Sequence, residues 1–118
     1  VDCLPGATAF VPALVNSGLS CEKFIFEGFV PVKKGRKKTF KMLEDEKKTV
    51  IFYESPHRLI KTLTNLKEFL NKDRKISISR EISKMYEETI RGTLDEILIY
   101  YTKKKPKGEF VIIVDGKK

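Results

Sequence analysis

Three short polar segments hold the residues of this chain that could do chemistry. Tyr53-Glu54-Ser55 is followed by His57 and Arg58, Arg80-Glu81 is followed by Lys84, and Pro5-Gly6 makes a turn near the start. A carboxylate can accept a proton from a hydroxyl, and a neighbouring cation can stabilise the oxyanion that forms. Glu54, Glu81 and Lys84 are therefore the candidate catalytic residues, with Arg80 beside them. Each segment also has a plain structural reading. Glu54 and Glu81 are equally well explained as ion-pair partners of Arg58 and Arg80. His57, in the first turn of an expected helix, is better read as a surface or capping residue than as a base. No Walker loop, HExxH motif or nucleophile elbow is present. Cys3 and Cys21 form neither a CxxC nor a Cys/His cluster, so neither a metal site nor a disulfide scaffold is expected.

A second kind of chemistry is electrostatic. Lys33, Lys34, Arg36, Lys37 and Lys38 fill five of six positions, and Lys103, Lys104, Lys105 and Lys107 make a second cluster. The chain carries 24 basic against 16 acidic residues, a net charge of +8. Clustered cations favour polyanions through phosphate contacts and counterion release. The first run reads as a loop able to follow a phosphate backbone, with Arg58 and Arg80 adding charge at strand ends. The competing reading is a solvated Lys-rich surface.

These groups must be held by a frame, and hydrophobic periodicity outlines it. Strands are expected at Phe24–Val30, Thr49–Tyr53, Ile76–Ser79, Tyr86–Arg91 and Glu109–Val114. The apolar run Thr49–Tyr53 reads as a central strand covered on both faces. The alternation of Ile76 and Ile78 with Ser77 and Ser79 reads as a half-buried one. Helices are expected at Ala7–Val15, at Lys37–Glu46, after Ser55-Pro56 with an N-cap at Ser55, and after a capping box at Thr93-Leu94-Asp95-Glu96. The third carries the stripe Leu59, Leu63, Leu66 and Leu70, and the fourth points Leu94, Ile97, Leu98 and Tyr101 inward. The fold class is thus α/β: one domain over residues 1–118 with a single mixed five-stranded sheet flanked by helices. Open sheets of this class bind ligands beyond the carboxyl ends of their strands, where the polar segments lie.

Composition excludes several classes. With 41% hydrophobic and 34% charged residues the chain suits a globular protein. It contains no apolar run of membrane-spanning length and no signal peptide, so a cytoplasmic protein with reduced thiols is expected. There is no initiator Met, and Val1-Asp2-Cys3-Leu4 reads like the tail of a strand, as in a piece of a longer protein.

Five blocks occur in order: LPGATA at 4–9, FEGFVP at 26–31, YESPHR at 53–58, REISK at 80–84 and KGEF at 107–110. Together they closely resemble the C-terminal half of the bacterial ribosomal RNA small subunit methyltransferase I family, within the tetrapyrrole methylase superfamily. The resemblance spans nearly the whole chain. YESPHR and REISK carry the subfamily, whereas PGATA is widespread in the superfamily, and Val30 stands where Leu is more usual. The resemblance implies a two-domain α/β enzyme that moves a methyl group from S-adenosylmethionine to the 2′-hydroxyl of a cytidine in 16S rRNA. It implies a cofactor cleft between this half and its own N-terminal domain, so that this half alone is not active, and it implies a homodimer. Pro5, Gly6, Tyr53, Glu54, Gly108 and Glu109 are the cofactor-lining residues it indicates. Lys33, Lys34, Arg36, Lys37, Lys38, Arg58 and Arg80 are the expected RNA contacts. A corrin or porphyrin methyltransferase domain is the second reading, against which the basic loop and YESPHR argue. A non-enzymatic nucleic-acid-binding domain is the third, and strand-end carboxylates that repel phosphate argue against it.

Overall fold

The computed structural model describes residues 24–71, 73–82, 85–106 and 108–117. Five strands and three helices alternate along them: β1 (Phe24–Phe29), α1 (Arg36–Asp45), β2 (Thr49–Glu54), α2 (Leu59–Phe69), β3 (Lys75–Ile82), β4 (Met85–Thr93), α3 (Leu94–Lys103) and β5 (Glu109–Val114). The expected helix at Ala7–Val15 lies outside the described residues. The strands form one mixed sheet in the order β1-β2-β5-β3-β4. β1 and β2 pair in parallel, and every other pairing is antiparallel. Since β5 runs against both β2 and β3, its first residue lies at the end of the sheet where β1, β2 and β3 finish. That shared end frames the candidate site.

Helix and strand stripes meet in one core. Phe40 and Leu43 of α1, Leu59, Leu63 and Leu66 of α2, and Leu94, Ile97 and Tyr101 of α3 pack on Val50, Phe52, Ile76, Ile78, Phe110, Ile112 and Val114. All three helices therefore cover the same face. Leu63, Ile78 and Ile112 have no exposed surface, and truncating such residues to Ala costs about 2–5 kcal/mol each. Thr93 caps α3 as expected. Its hydroxyl accepts from the Glu96 amide, and the Glu96 carboxylate accepts from the Thr93 amide.

Three local expectations are corrected. First, Ser55 is not an N-cap. Residues 55–58 make a turn closed by the Arg58 amide on the Ser55 carbonyl (3.2 Å), and α2 begins at Leu59. The Ser55 amide is already committed to the side chain of Glu54. Second, β3 is not half-buried: Ser77 and Ser79 are as buried as Ile76 and Ile78. An alternating pattern marks which face a residue takes, and both faces here are covered. Third, the basic run is only partly a loop. Lys33 and Lys34 lie in a turn, but Arg36, Lys37 and Lys38 form the first turn of α1.

Away from the shared end, Arg74 is buried and ties the sheet to α1. It donates to the carbonyls of Leu43 (3.1 Å), Glu44 (3.2 Å) and Asp115 (3.1 Å). This places a cation at the negative end of α1. Gly116 packs beside it so closely that a Cβ would sit 1.8 Å from the Lys47 carbonyl oxygen. A cavity of about 440 Å3 adjoins these residues. At least three of the five Arg74 donors are spent on main-chain oxygens, which makes this corner structural.

Candidate functional site at the carboxyl end of the sheet

Register brings the candidate segments together. Glu54 pairs with Phe110, Arg80 pairs with Phe110 from the other side, and Glu88 pairs with Arg80. Glu54, Phe110, Arg80 and Glu88 thus form a transverse row on the helix-covered face. One residue further out, Glu81 lies opposite Glu109. The strand ends at Tyr53–Glu54, Arg80–Glu81 and Gly108–Glu109 are therefore neighbours. Gly108 enters β5 with φ 85°, a left-handed conformation that a side chain would strain. Pro5, Gly6 and Lys84 lie outside the described residues.

Glu54 has no exposed surface, and a buried carboxylate is tolerable only when hydrogen-bonded and paired. Its Oε1 accepts from the Ser55 amide (2.8 Å) and from Arg58 Nε (3.2 Å). Its Oε2 accepts from the Thr62 hydroxyl (2.6 Å). The pairing with Arg58 read from the sequence is present. Both oxygens are engaged within the protein, so the side chain anchors the end of β2. Thr62 went unnoticed in the sequence because it interrupts an apolar stripe. Its place between Leu59 and Leu63, on the inward face of α2, was the available signal.

Arg36 extends this network. Nη2 donates to the Thr62 hydroxyl (3.1 Å) and to Asn65 Oδ1 (2.9 Å), Nε donates to Asn65 Oδ1 (3.2 Å), and Nη1 donates to the Pro31 carbonyl (3.0 Å). The guanidinium also lies 4.8 Å from the centre of the Phe40 ring. Burial lowers its pKa, and the nearby charge of Glu54 works in the opposite direction. Arg36, expected as a polyanion contact, makes these bonds within the protein while staying half-exposed at the edge of an open groove.

Arg80 is turned inward, with its side chain only 15% exposed and Nε 4.0 Å from Glu88 Oε1. Glu88, absent from the sequence reading, accepts from the Tyr100 hydroxyl and from Lys104 Nζ (2.9 Å). Burial pushes the Glu88 carboxyl up, but the hydrogen bonds from Tyr100 and Lys104 and the charge of Arg80 outweigh it and hold it below its ordinary value. The neighbouring Tyr101 hydroxyl is pushed far up, by burial first and by Glu88 second.

Lys33, Lys34, Lys37 and Lys38 remain exposed. Lys33, Arg36 and Lys37 edge an open groove of about 410 Å3 that Phe40, Asn65, Glu68 and Phe69 also line. Lys37 and Lys38 stand in the first turn of α1, where there is no acidic residue and no side-chain cap. Cations at a helix N-terminus oppose the macrodipole, so an anion there would be favoured by helix and lysines together. The second cluster, Lys103 to Lys105, closes α3 just before β5. Both clusters therefore flank the same end of the sheet. Among the described residues no group of His, Cys, Asp and Glu has metal-site geometry, and no helix is long and apolar enough to cross a membrane.

The chain is 44% identical to the ribosomal RNA small subunit methyltransferase I of Synechocystis over 114 residues, which are 96% of this chain and 41% of that protein. It is 41% identical to the Thermotoga maritima protein of the same name, over 99% of this chain and 52% of the relative. For the Halalkalibacterium halodurans protein of that name the figures are 47%, 96% and 39%. The chain thus spans about two fifths to one half of the length of these relatives. Two solved structures share the fold at 18% identity: the methyltransferase CobJ (TM-score 0.58, 88% of this chain and 46% of that one) and the cobalt precorrin-4 methyltransferase CbiF (TM-score 0.56, 91% and 46%). Residues 1–98 match the model of the tetrapyrrole (corrin/porphyrin) methylases, and the chain belongs to that family.

Proposed function

We propose that this chain is the C-terminal part of an S-adenosylmethionine-dependent methyltransferase that modifies a ribose 2′-hydroxyl of a cytidine in small-subunit ribosomal RNA. The observation that carries the reading is the convergence of three polar strand ends and two lysine clusters on one end of the sheet. The relatives named for this RNA supply the substrate, and the family supplies the cofactor. A small tetrapyrrole would need no flanking phosphate-binding surface.

The residues present suit the cofactor. Tyr53–Glu54 and Gly108–Glu109 offer main-chain donors and acceptors from paired strands, and Gly108 leaves room for close approach. When bound, the sulfonium supplies an activated methyl group, so the protein has mainly to position the acceptor. Lys33, Lys34, Lys37 and Lys38 hold the RNA by its phosphates, and Arg58 stays at the rim, its side chain 38% exposed. The engaged Glu54 side chain is assigned to positioning. Glu81, with Lys84 following it, remains the pair assigned to accept the ribose proton and steady the alkoxide. The N-terminal part of the natural protein completes the cofactor cleft, and the enzyme works as a homodimer in the cytoplasm.

Labelled S-adenosylmethionine, the full-length natural protein, and either small-subunit RNA or a corrinoid test this reading. Label is expected in RNA alone. Label in the corrinoid, with none in RNA, would replace it with small-molecule methylation.

A further inference from the structure

Two corners of the fold that the reading above gives to different ligands are joined by one polar chain. The β1–α1 corner holds the basic turn assigned to RNA, and the β2–α2 corner holds the strand end assigned to the cofactor. Arg36 lies in the first and Glu54 in the second, 18 positions apart in sequence. Between them stands the hydroxyl of Thr62, which has no exposed surface.

The direction of these bonds follows from chemistry. A guanidinium only donates, so Thr62 Oγ1 must accept from Arg36 Nη2 (3.1 Å). The hydroxyl has a single proton, and that proton goes to Glu54 Oε2 (2.6 Å). Hydrogen bonds aligned in this way polarise one another. The chain also closes on itself. Arg36 Nη1 donates to the Pro31 carbonyl, and the amide of the preceding residue, Val30, donates to the Tyr53 carbonyl (3.3 Å). Pro31, Arg36, Thr62, Glu54, Tyr53 and Val30 thus form a ring spanning both corners. The ring reaches the basic turn through the Arg36 amide, which donates to the Lys33 carbonyl (3.2 Å).

We propose that Arg36 is a positioning residue that acts through Thr62 and Glu54 to hold the Tyr53–Ser55 strand end in the geometry methyl transfer requires, and that it ties this geometry to the basic turn. This rests on the functional reading given above. Four of the five guanidinium N–H groups of Arg36 are already used inside the protein, which favours a positioning role over a phosphate contact. Among the described residues the fully buried Glu54 carboxylate has one direct, part-exposed cation, Arg58, and further compensation favours its buried charge. Arg36 supplies that compensation one hydroxyl away.

The test uses the full-length natural protein and its Arg36→Gln, Thr62→Val and Thr62→Ser variants, assayed below their melting temperatures. Two readouts are taken: kcat and KM for RNA, and hydrogen exchange at the Ser55 amide, which donates to Glu54 (2.8 Å). Arg36→Gln and Thr62→Val are expected to lower kcat about tenfold to a hundredfold. Their KM for RNA should stay within about twofold of the original, and Ser55 exchange should quicken in both. Thr62→Ser keeps the hydroxyl and should behave like the unaltered protein. Loss of kcat in Thr62→Ser equal to that in Thr62→Val would place the effect in packing and overturn the proposal. So would a raised KM in Arg36→Gln with Thr62→Val silent, which would make Arg36 a direct phosphate contact. If the unaltered protein transfers no methyl group to rRNA, the functional reading fails. Ser55 exchange then still decides whether Arg36 and Thr62 hold the strand end.

Discussion

Glu54 and Glu88 show how position decides what a carboxylate does. Both stand in the same transverse row, yet Glu54 is sealed beneath α2 while Glu88 shares its charge with Tyr100, Lys104 and Arg80. The Glu54–Arg58 contact could be read from the sequence, because the two residues are four apart with a turn between them. Thr62, Arg36 and Glu88 could not, since their partners are brought near by tertiary packing and no local pattern records it. The depressed pKa of Glu88 has a consequence for acid stability. A carboxyl whose folded pKa lies below its ordinary 4.5 stabilises the native state above that value and loses this contribution as pH falls through the folded pKa. Glu88→Gln should therefore unfold at a lower urea midpoint than the original at neutral pH, and the difference should shrink below the ordinary carboxylate range. A difference that stayed constant across urea titrations at successively lower pH would show that the charge of Glu88 is not what stabilises this cluster.

Among the elements, those with a strong local signature were legible and those shaped by neighbours were less so. The capping box at Thr93 specified the start of α3 to the residue, since it satisfies its own amide groups. Ser55-Pro56 carries an equally familiar start signal and failed, because residues 55–58 close a turn of their own and the helix starts only at Leu59. β4 runs over Met85–Thr93, beyond the expected Tyr86–Arg91, since pairing with β3 extends a strand past its own apolar pattern. The basic run was recognised, and the helix expected at Lys37–Glu46, found at Arg36–Asp45, divides it into a two-lysine turn and a helical first turn. That division sharpens the prediction for it. Replacing Lys33, Lys34, Lys37 and Lys38 with Ser in the full-length protein should weaken RNA binding and flatten its salt dependence. Each lost phosphate contact should reduce the log–log slope by about 0.7 to 0.9. Affinity for S-adenosylmethionine should not change. An unaltered slope would return these lysines to the role of a solvated surface.

For the molecule as a whole, the class was readable and the strand order was not. Periodicity indicated five strands and the described helices, yet nothing local reveals that β5 inserts between β2 and β3. That insertion matters most for function, because it sets Gly108–Glu109 beside Tyr53–Glu54 and Arg80–Glu81. It also brings the end of α3, with its lysines, to the same edge as the start of α1. The function proposed for this edge is methyl transfer to a ribose in small-subunit RNA. The most direct measurement is nucleoside mass spectrometry of 16S rRNA from cells with the gene intact, deleted, and restored. One 2′-O-methylcytidine is expected to disappear on deletion and to return on restoration. An unchanged set of methylated nucleosides in the deleted strain would contradict the proposed function.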